Sequence, residues 1–225
     1  MSNFFRFPHT PHLAWLGSGG PRGDKVLSQY EMREFLANEV IVEEKIDGAN
    51  LGISYAQDNE ILLQNRGSYL SPPYRGQFTR LTSWLGEHAE GLGSVLSPET
   101  ILFGEWCAAK HSLLYDHLPD WFVLFDVYCR GKERFLSTVQ RNAMARAAGI
   151  STVPEIARGR FTLGQLTNLL LNAQSEFRNG TIEGLVIRSE SDELSVARAK
   201  LVRPDFSQAI QEHWSSRPLS WNRLA

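Results

Sequence analysis

The chain has 225 residues, 42% of them hydrophobic and 21% charged, and its 25 Asp and Glu against 23 Lys and Arg give a formal net charge of -2. This composition excludes a disordered chain, and the near balance of charge excludes a surface that attracts nucleic acid everywhere, so a polyanion site is expected only as a local groove. Two cysteines are too few for a disulfide scaffold, no apolar run is long enough for a membrane span, and the start lacks a signal-peptide core, so a reducing, cytoplasmic setting is expected.

The first 25 residues are rich in Pro, Gly and aromatics. The run Gly17 to Lys25 lacks the Gly-Lys-Ser/Thr ending of a phosphate loop, and Pro21 removes a backbone donor, so a plain loop is predicted, with His12 as a packed or capping histidine. Residues 28–38 have helical spacing, and Ser28 with Glu31 suits a capping box. Segments 40–45, 51–56 and 60–64 read as three consecutive strands of one antiparallel meander, with turns at Asp47-Gly48 and Asp58-Asn59.

A helix is predicted over 78–90, with Phe78, Leu81, Trp84 and Leu85 on one face. Two apolar strands follow, 100–106 and 121–129, each with one acid inside it, Glu105 and Asp126. Charges within apolar strands are uncommon unless they meet a partner or ligand. Cys107, His111, His117 and Cys129 match no compact zinc pattern. Helices are predicted over 137–148 and 163–173, then a hairpin of 182–188 and 194–202, and a last helix over 205–214. In the second hairpin strand Val196, Arg198 and Lys200 alternate on one face, so two cations project from what reads as a central strand.

Within Glu43-Glu44-Lys45-Ile46-Asp47-Gly48-Ala49-Asn50, Lys45 is the candidate nucleophile. A lysine amine is normally protonated, with a pKa of about 10.4, and two adjacent glutamates hold it so, which calls for positive charge from elsewhere. Alone, Lys-x-Asp-Gly arises by chance in roughly one chain in twenty of this length. Lys45, Glu105, Asp126, Glu183, Arg198 and Lys200 together are isolated charges on apolar strands: carboxylates to hold a divalent metal and cations to neutralise phosphates.

The order of these segments is similar to that of the covalent nucleotidyltransferases, the ATP-dependent DNA ligases, RNA ligases and mRNA capping enzymes. Lys45-Ile46-Asp47-Gly48-Ala49-Asn50 resembles motif I, Phe103-Gly104-Glu105-Trp106 motif III and Phe125-Asp126-Val127-Tyr128 motif IIIa. Glu183 to Arg188 resembles motif IV, and Arg198-Ala199-Lys200 motif V. Thr10-Pro11-His12-Leu13, residues 115–122, and Asp205-Phe206 to His213-Trp214 most resemble the RNA ligase 2-like branch of RNA ligases.

The resemblance implies an α+β fold of antiparallel sheets flanked by helices around an ATP cleft, as one adenylation domain over 1–225. It implies that Lys45 attacks the ATP α-phosphate to form lysyl-AMP, that the adenylate passes to a 5′-phosphate end, and that a 3′-hydroxyl displaces AMP to seal RNA. Glu44, Glu105 and Phe125 would bind the nucleotide, with Glu105 on the ribose and Phe125 on adenine. Glu183 would place Mg2+, for which Mn2+ could substitute, and Lys200 and Arg198 would act at the α-phosphate. Asn50 and Arg66 would engage the 5′-phosphate of the RNA, with Asp47 and Asp126 as second choices.

Arg198 stands where the family usually has lysine; it keeps the charge but is bulkier and cannot shed its proton. About 25 residues follow Lys200, so no separate C-terminal domain is expected, and either this domain or a partner protein grips the substrate. An end-healing kinase-phosphatase is a further candidate partner. Three rival readings are DNA nick sealing, GTP-dependent capping and a non-catalytic module that binds polynucleotide ends.

Overall fold

In the computed structural model, residues 4–18, 20–21, 23–56, 60–209 and 219–225 are described. Within them the chain forms α1 (Gln29–Leu36), β1 (Val40–Lys45), β2 (Ala49–Tyr55), β3 (Ile61–Gln64), β4 (Tyr69–Leu70), a 3-10 turn at Gly76–Phe78, α2 (Leu81–Val95), β5 (Thr100–Trp106) and β6 (Phe122–Cys129). Then follow β7 (Arg134–Phe135), α3 (Thr138–Ala148), β8 (Ser151–Thr152), β9 (Glu155–Gly159), α4 (Leu163–Asn172), β10 (Gly184–Glu190), β11 (Ser195–Val202) and α5 (Pro204–Ala209). The fold is the expected α+β arrangement of mostly antiparallel sheets with helices against them.

Local chemistry sets the helix starts. Ser28 and Glu31 form the capping box of α1, Ser137 caps α3 by accepting from Gln140 N, and Thr162 with Gln165 forms a second box at α4. Each such cap contributes about 1 kcal/mol. In α4, Leu166 and Leu170 are wholly buried and Leu169 packs beside them, as their spacing predicts. The helix predicted over 78–90 is displaced, with Phe78 in the preceding 3-10 turn, while Leu81 and Trp84 reach the core. Positions beyond Ala209 in the predicted last helix, and the turn at Asp58-Asn59, lie outside the described residues.

The predicted meander is not formed. One sheet has the order β11-β10-β1-β9, the other β4-β3-β2-β5-β6-β7, with β8 added parallel to β6. β1 pairs with β10 and β9, whereas β2 pairs with β3 and β5. The Asp47-Gly48 segment therefore carries the chain from one sheet to the other rather than closing a hairpin. Pattern alone could not reveal this, because β1 is apolar through Val40, Ile41 and Val42 and would fit either sheet.

Gly48 is required by close approach at this crossing: a Cβ there would lie 2.7 Å from Trp106 O and 3.2 Å from Cys107 Sγ. Gly184, opposite Lys45 in the ladder, leaves room in the same way, since its Cβ would meet Leu201 O at 2.8 Å and Lys45 Cδ at 3.4 Å.

β11 is also not central. It is the edge of its sheet, and the segment through Pro11, His12 and Leu13 covers that edge, with Lys200 N donating to Pro11 O and Leu13 N to Lys200 O. Covering an edge strand in this way satisfies its free backbone groups. His12 itself is buried and packs edge-on against Trp15, the packed histidine expected.

Candidate active site

A cleft between the two sheets is lined by Lys45, Glu44, Arg66, Glu105, Phe125, Asp126, Arg198 and Lys200, among others. Eight of the predicted site residues thus meet at one place. Glu183 joins them through Lys45, whose Nζ donates to Glu183 Oε2 at 2.9 Å. Asn50 sits beside the cleft, opposite Glu105 in the β2–β5 ladder, and Asp47 lies at the crossing below Lys45.

Burial alone would lower the pKa of Lys45, but Glu183, Asp47 and Glu105 together hold it above its ordinary value. Burial pushes Glu183 up to about 7 against the pull of Lys45. The lysine therefore rests as an ammonium ion, and its proton is kept by carboxylates that a cationic ligand would engage.

Three polar groups here lack partners among the described residues. Glu44 Oε1 and Glu105 Oε2 are buried without a hydrogen bond, and so is the whole side-chain amide of Asn50. Glu44 Oε2 accepts from Glu176 N at 3.2 Å, so one oxygen is fixed and the other is open. Unpaired buried groups each cost roughly 1–3 kcal/mol, and such a cluster in a cleft is what a polar ligand would relieve.

The Glu105 carboxyl is pushed up to about 8, mainly by burial, with Lys45 pulling the other way. Because its folded pKa exceeds an unfolded value of about 4.3, the folded state holds the extra proton between those values, and its contribution to stability falls as pH rises from about 4 to 8. Glu105→Gln keeps the shape and removes the charge. It is expected to raise the thermal midpoint at pH 8 by about 4–8 °C, corresponding to roughly 2 kcal/mol, and to leave it unchanged near pH 4. Melts at the two pH values check this; an equal gain at both would contradict it.

Asp126 and Arg198 are placed differently from a free acid and a free cation. A buried chain of charges runs Arg141–Glu43–Arg188–Asp126–Arg198, with Arg141 Nη2 to Glu43 Oε1 at 2.6 Å, Arg188 Nε to Glu43 Oε2 at 2.5 Å, and Arg188 and Arg198 each 2.6 Å from Asp126. Both Asp126 oxygens are thus occupied by arginines. Arg198 also meets two aromatic rings, its Cζ 4.4 Å from the Phe7 centroid and 4.3 Å from the Phe135 centroid. A guanidinium suits contact with aromatic rings and a carboxylate together.

The same arginines set Phe125. The β5–β6 ladder shifts register between Phe103 and Gly104, opposite Asp126 and Leu124, so Phe125 is the extra residue of a bulge. Its carbonyl accepts from Arg141 Nη1 at 2.8 Å and Arg188 Nη2 at 2.9 Å, while its ring lines the cleft with Phe7 edge-on at 5.1 Å.

Lys200 is not free either: its Nζ donates to Asp24 Oδ2 at 2.5 Å, and Asp24 also pairs with His9 Nδ1 at 3.0 Å. Burial, followed by the Lys200 charge, lowers His12 to about 4, so this neighbour is neutral at physiological pH. Cys107 is buried and donates weakly to Glu105 O, and His111 pairs with Gln77 at 2.7 Å.

Sequence reasoning missed Asp24, Phe7, Glu43, Arg188 and Arg141 as parts of this site. Glu43 and Arg188 had a visible signal, being charges at inward positions of apolar strands. Arg141 shares the buried face of α3 with Ala145 and Ala148, a charge on an apolar helix stripe. Asp24 lies in a loop with no periodicity to mark it.

A lysine among buried carboxylates, with an aromatic ring and cations around one cleft between two sheets, has the chemistry to take a ligand that carries a ring and negative charge. The profile of the RNA ligase family matches residues 38–202, and the chain belongs to that family. No curated protein matches it. Among solved structures, a Naegleria gruberi RNA ligase mutant in apo form aligns with a TM-score of 0.62 and 18% identity over 80% of this chain and 54% of the other. A mutant of that ligase with AMP and Mn gives 0.64 and 19% over 79% and 53%, and an archaeal ATP-dependent RNA ligase 0.58 and 20% over 88% and 48%. These likenesses show a shared fold, and the chain spans about half the length of the structures it matches.

Proposed function

We propose that the chain is the adenylation unit of an ATP-dependent RNA ligase, forming lysyl-AMP at Lys45 and joining 3′-hydroxyl to 5′-phosphate RNA ends. The observation that carries this reading is Lys45 paired to Glu183 in a cleft where Glu44 and Glu105 each leave a buried oxygen open. Family membership and neighbours recorded with ATP and Mn or AMP and Mn support it. Residues 1–225 act as one such unit, in the cytoplasm; among the described residues no helix is long and apolar enough to cross a membrane.

Glu44 favours ATP over GTP. An ionised carboxylate only accepts hydrogen bonds; the adenine amino group would donate to Oε1, whereas guanine presents its O6 acceptor at that edge. Phe125, fixed by its bulge, offers its ring to the base, and Glu105 Oε2 accepts from a ribose hydroxyl. Lys200 exchanges Asp24 for a phosphate oxygen, and Arg198 holds positive charge at the cleft wall.

The donor set fits a divalent ion that keeps water and phosphate as most of its ligands. Among the described residues no three His, Cys, Asp or Glu side chains converge as a closed cage, and magnesium bound with phosphates needs as few as one carboxylate, here Glu183. Manganese takes the same oxygen ligands. Such an ion would supply positive charge beside the phosphates. Lys45 gives its proton to Glu183 Oε2, its partner at 2.9 Å, and attacks the α-phosphorus; the new P–N bond forms as the bond to pyrophosphate breaks. Asn50 and Arg66, next to this point, receive the 5′-phosphate of the RNA, whose ends a kinase-phosphatase partner would prepare.

The test is incubation with ATP or GTP labelled in the α-phosphate, followed by a denaturing gel, then sealing of nicked RNA duplex, nicked DNA duplex and single-stranded RNA with matched 5′-phosphates. Label retained from ATP and sealing of RNA are expected. Label from GTP alone, or sealing of DNA alone, would replace this reading with capping or DNA repair.

A further inference from the structure

Residues 219–225 return to the site from behind. Asn222 is 3% exposed, and its side chain is fully used: Nδ2 donates to Cys107 O at 2.8 Å and to Ala109 O at 3.2 Å, while Oδ1 accepts from Tyr115 N at 2.9 Å. Its own backbone N donates to Ala108 O at 3.0 Å. Around it, Lys110 N donates to Ser220 O, Arg223 N to Tyr115 O, Leu118 N to Arg223 O and Ala225 N to Leu118 O. One side chain thus ties three points of the 107–115 loop, with a backbone ladder on either side.

That loop in turn holds Asp47. The Tyr115 hydroxyl accepts from Asp47 N at 2.9 Å, and Asp47 Oδ2 accepts from Ser112 N at 2.7 Å and Leu113 N at 3.0 Å. Tyr115 is wholly buried, so its ring gives the loop no slack. Asp47 is two residues from Lys45, just past the end of the strand that carries it. The backbone amide and one carboxylate oxygen of Asp47 are therefore both positioned by a loop that has little regular structure and takes its shape from Asn222.

We infer that Asn222 is a positioning residue for lysine adenylation, acting through the 107–115 loop and Tyr115 on Asp47 and so on the placement of Lys45. The inference rests on the adenylation reading above. A loop without its own ladder is free to shift by an ångström when its tie is cut, and a shift of that size at reacting groups costs on the order of 100-fold in rate. Glu44 is held by Glu176 N and the Phe125 carbonyl by Arg141 and Arg188, none of them in that loop, so the affinity for ATP is expected to change less than the rate.

The experiment is single-turnover adenylation of wild type, Asn222→Ala, Asp47→Asn and the double variant, with labelled ATP. Wild type serves as the control: no adenylate in it would refute the adenylation reading, whereas the inference is decided by the variants. Asn222→Ala is expected to lower the rate constant roughly 10–100-fold with the KM for ATP changed less than about threefold.

In the Asp47→Asn background, Asn222→Ala is expected to add less than about twofold, since the two act in one line. Unfolding alone would reduce the amplitude of label rather than its rate constant. Effects that multiply, an unchanged rate constant, or a loss confined to amplitude would each overturn the inference. Should Asn222→Ala not fold, Tyr115→Phe takes its place in the cycle. It keeps the buried ring and removes only the acceptor of Asp47 N, and a wild-type rate constant for it would equally overturn the inference.

Discussion

Lys45→Ala is expected to abolish the covalent label from ATP and the sealing of RNA while leaving the fold and RNA binding in place. The activity loss is total because Lys45 is, among the described residues lining the cleft, the lysine paired to Glu183, and Lys200 reaches the cleft from a different strand to meet a phosphate oxygen. The fold survives because of the state of Glu183. Its carboxyl lies near 7 even with Lys45 beside it, since burial outweighs the attraction. Without Lys45 it takes up a proton instead of remaining as a buried unpaired charge, so the loss of the 2.9 Å ion pair is largely absorbed at neutral pH.

The sign with pH follows. With the pair removed, Glu183 moves further above its unfolded value, and the variant is expected to lose stability relative to wild type as pH rises above about 7, with little difference below 5. Melts across pH 5 to 9, together with the labelled-ATP gel, check both halves. Retained adenylate in Lys45→Ala would place the nucleophile elsewhere, and intact biological function without adenylate would favour the end-binding module.

Arg188→Ala is expected to have the largest effect on stability, about 3–5 kcal/mol. Arg188 is buried and bonds Glu43, Asp126 and the Phe125 carbonyl. Its removal leaves two carboxylates short of a partner at the junction of both sheets, and the surviving partners, Arg141 and Arg198, approach from opposite ends and cannot close the gap. Arg188→Lys is expected to restore less than half of the loss, because one ammonium cannot serve two carboxylates and a carbonyl in the fork geometry of a guanidinium. Urea denaturation measures both, with the slope against denaturant confirming a shared unfolding transition. A loss under about 1 kcal/mol for Arg188→Ala would mean that the network is decoupled from folding.

Much of this site was legible because charges on apolar strands are expensive and so are informative. Lys45, Glu105 and Glu183 stand out from their runs, and the structure brings them together. What pattern could not supply was which strands pair: β1 looked like the first strand of a meander, yet its partners are β9 and β10, brought together by non-local pairing. The same gap hid the state of Asp126 and Arg198. As isolated letters they read as an acid and a phosphate ligand, and only the sheet arrangement puts Arg188 between Glu43 and Asp126 and two rings on Arg198. Asp24 and Asn222 lie in segments without period, where a polar residue has no pattern to break.

The pairing of β1 with β10, Lys45 opposite Gly184, has a consequence for synthesis. As the chain emerges from a ribosome, the strand that carries Lys45 appears early but cannot acquire that neighbour until some 140 further residues have been made, so a large loop must close before the strand is fixed. Its apolar residues Val40, Ile41 and Val42 wait in the open for that time. Polypeptides released early, before β10 and β11, would carry the lysine without a formed cleft around it. A formed cleft around Lys45 thereby requires the chain through residue 202.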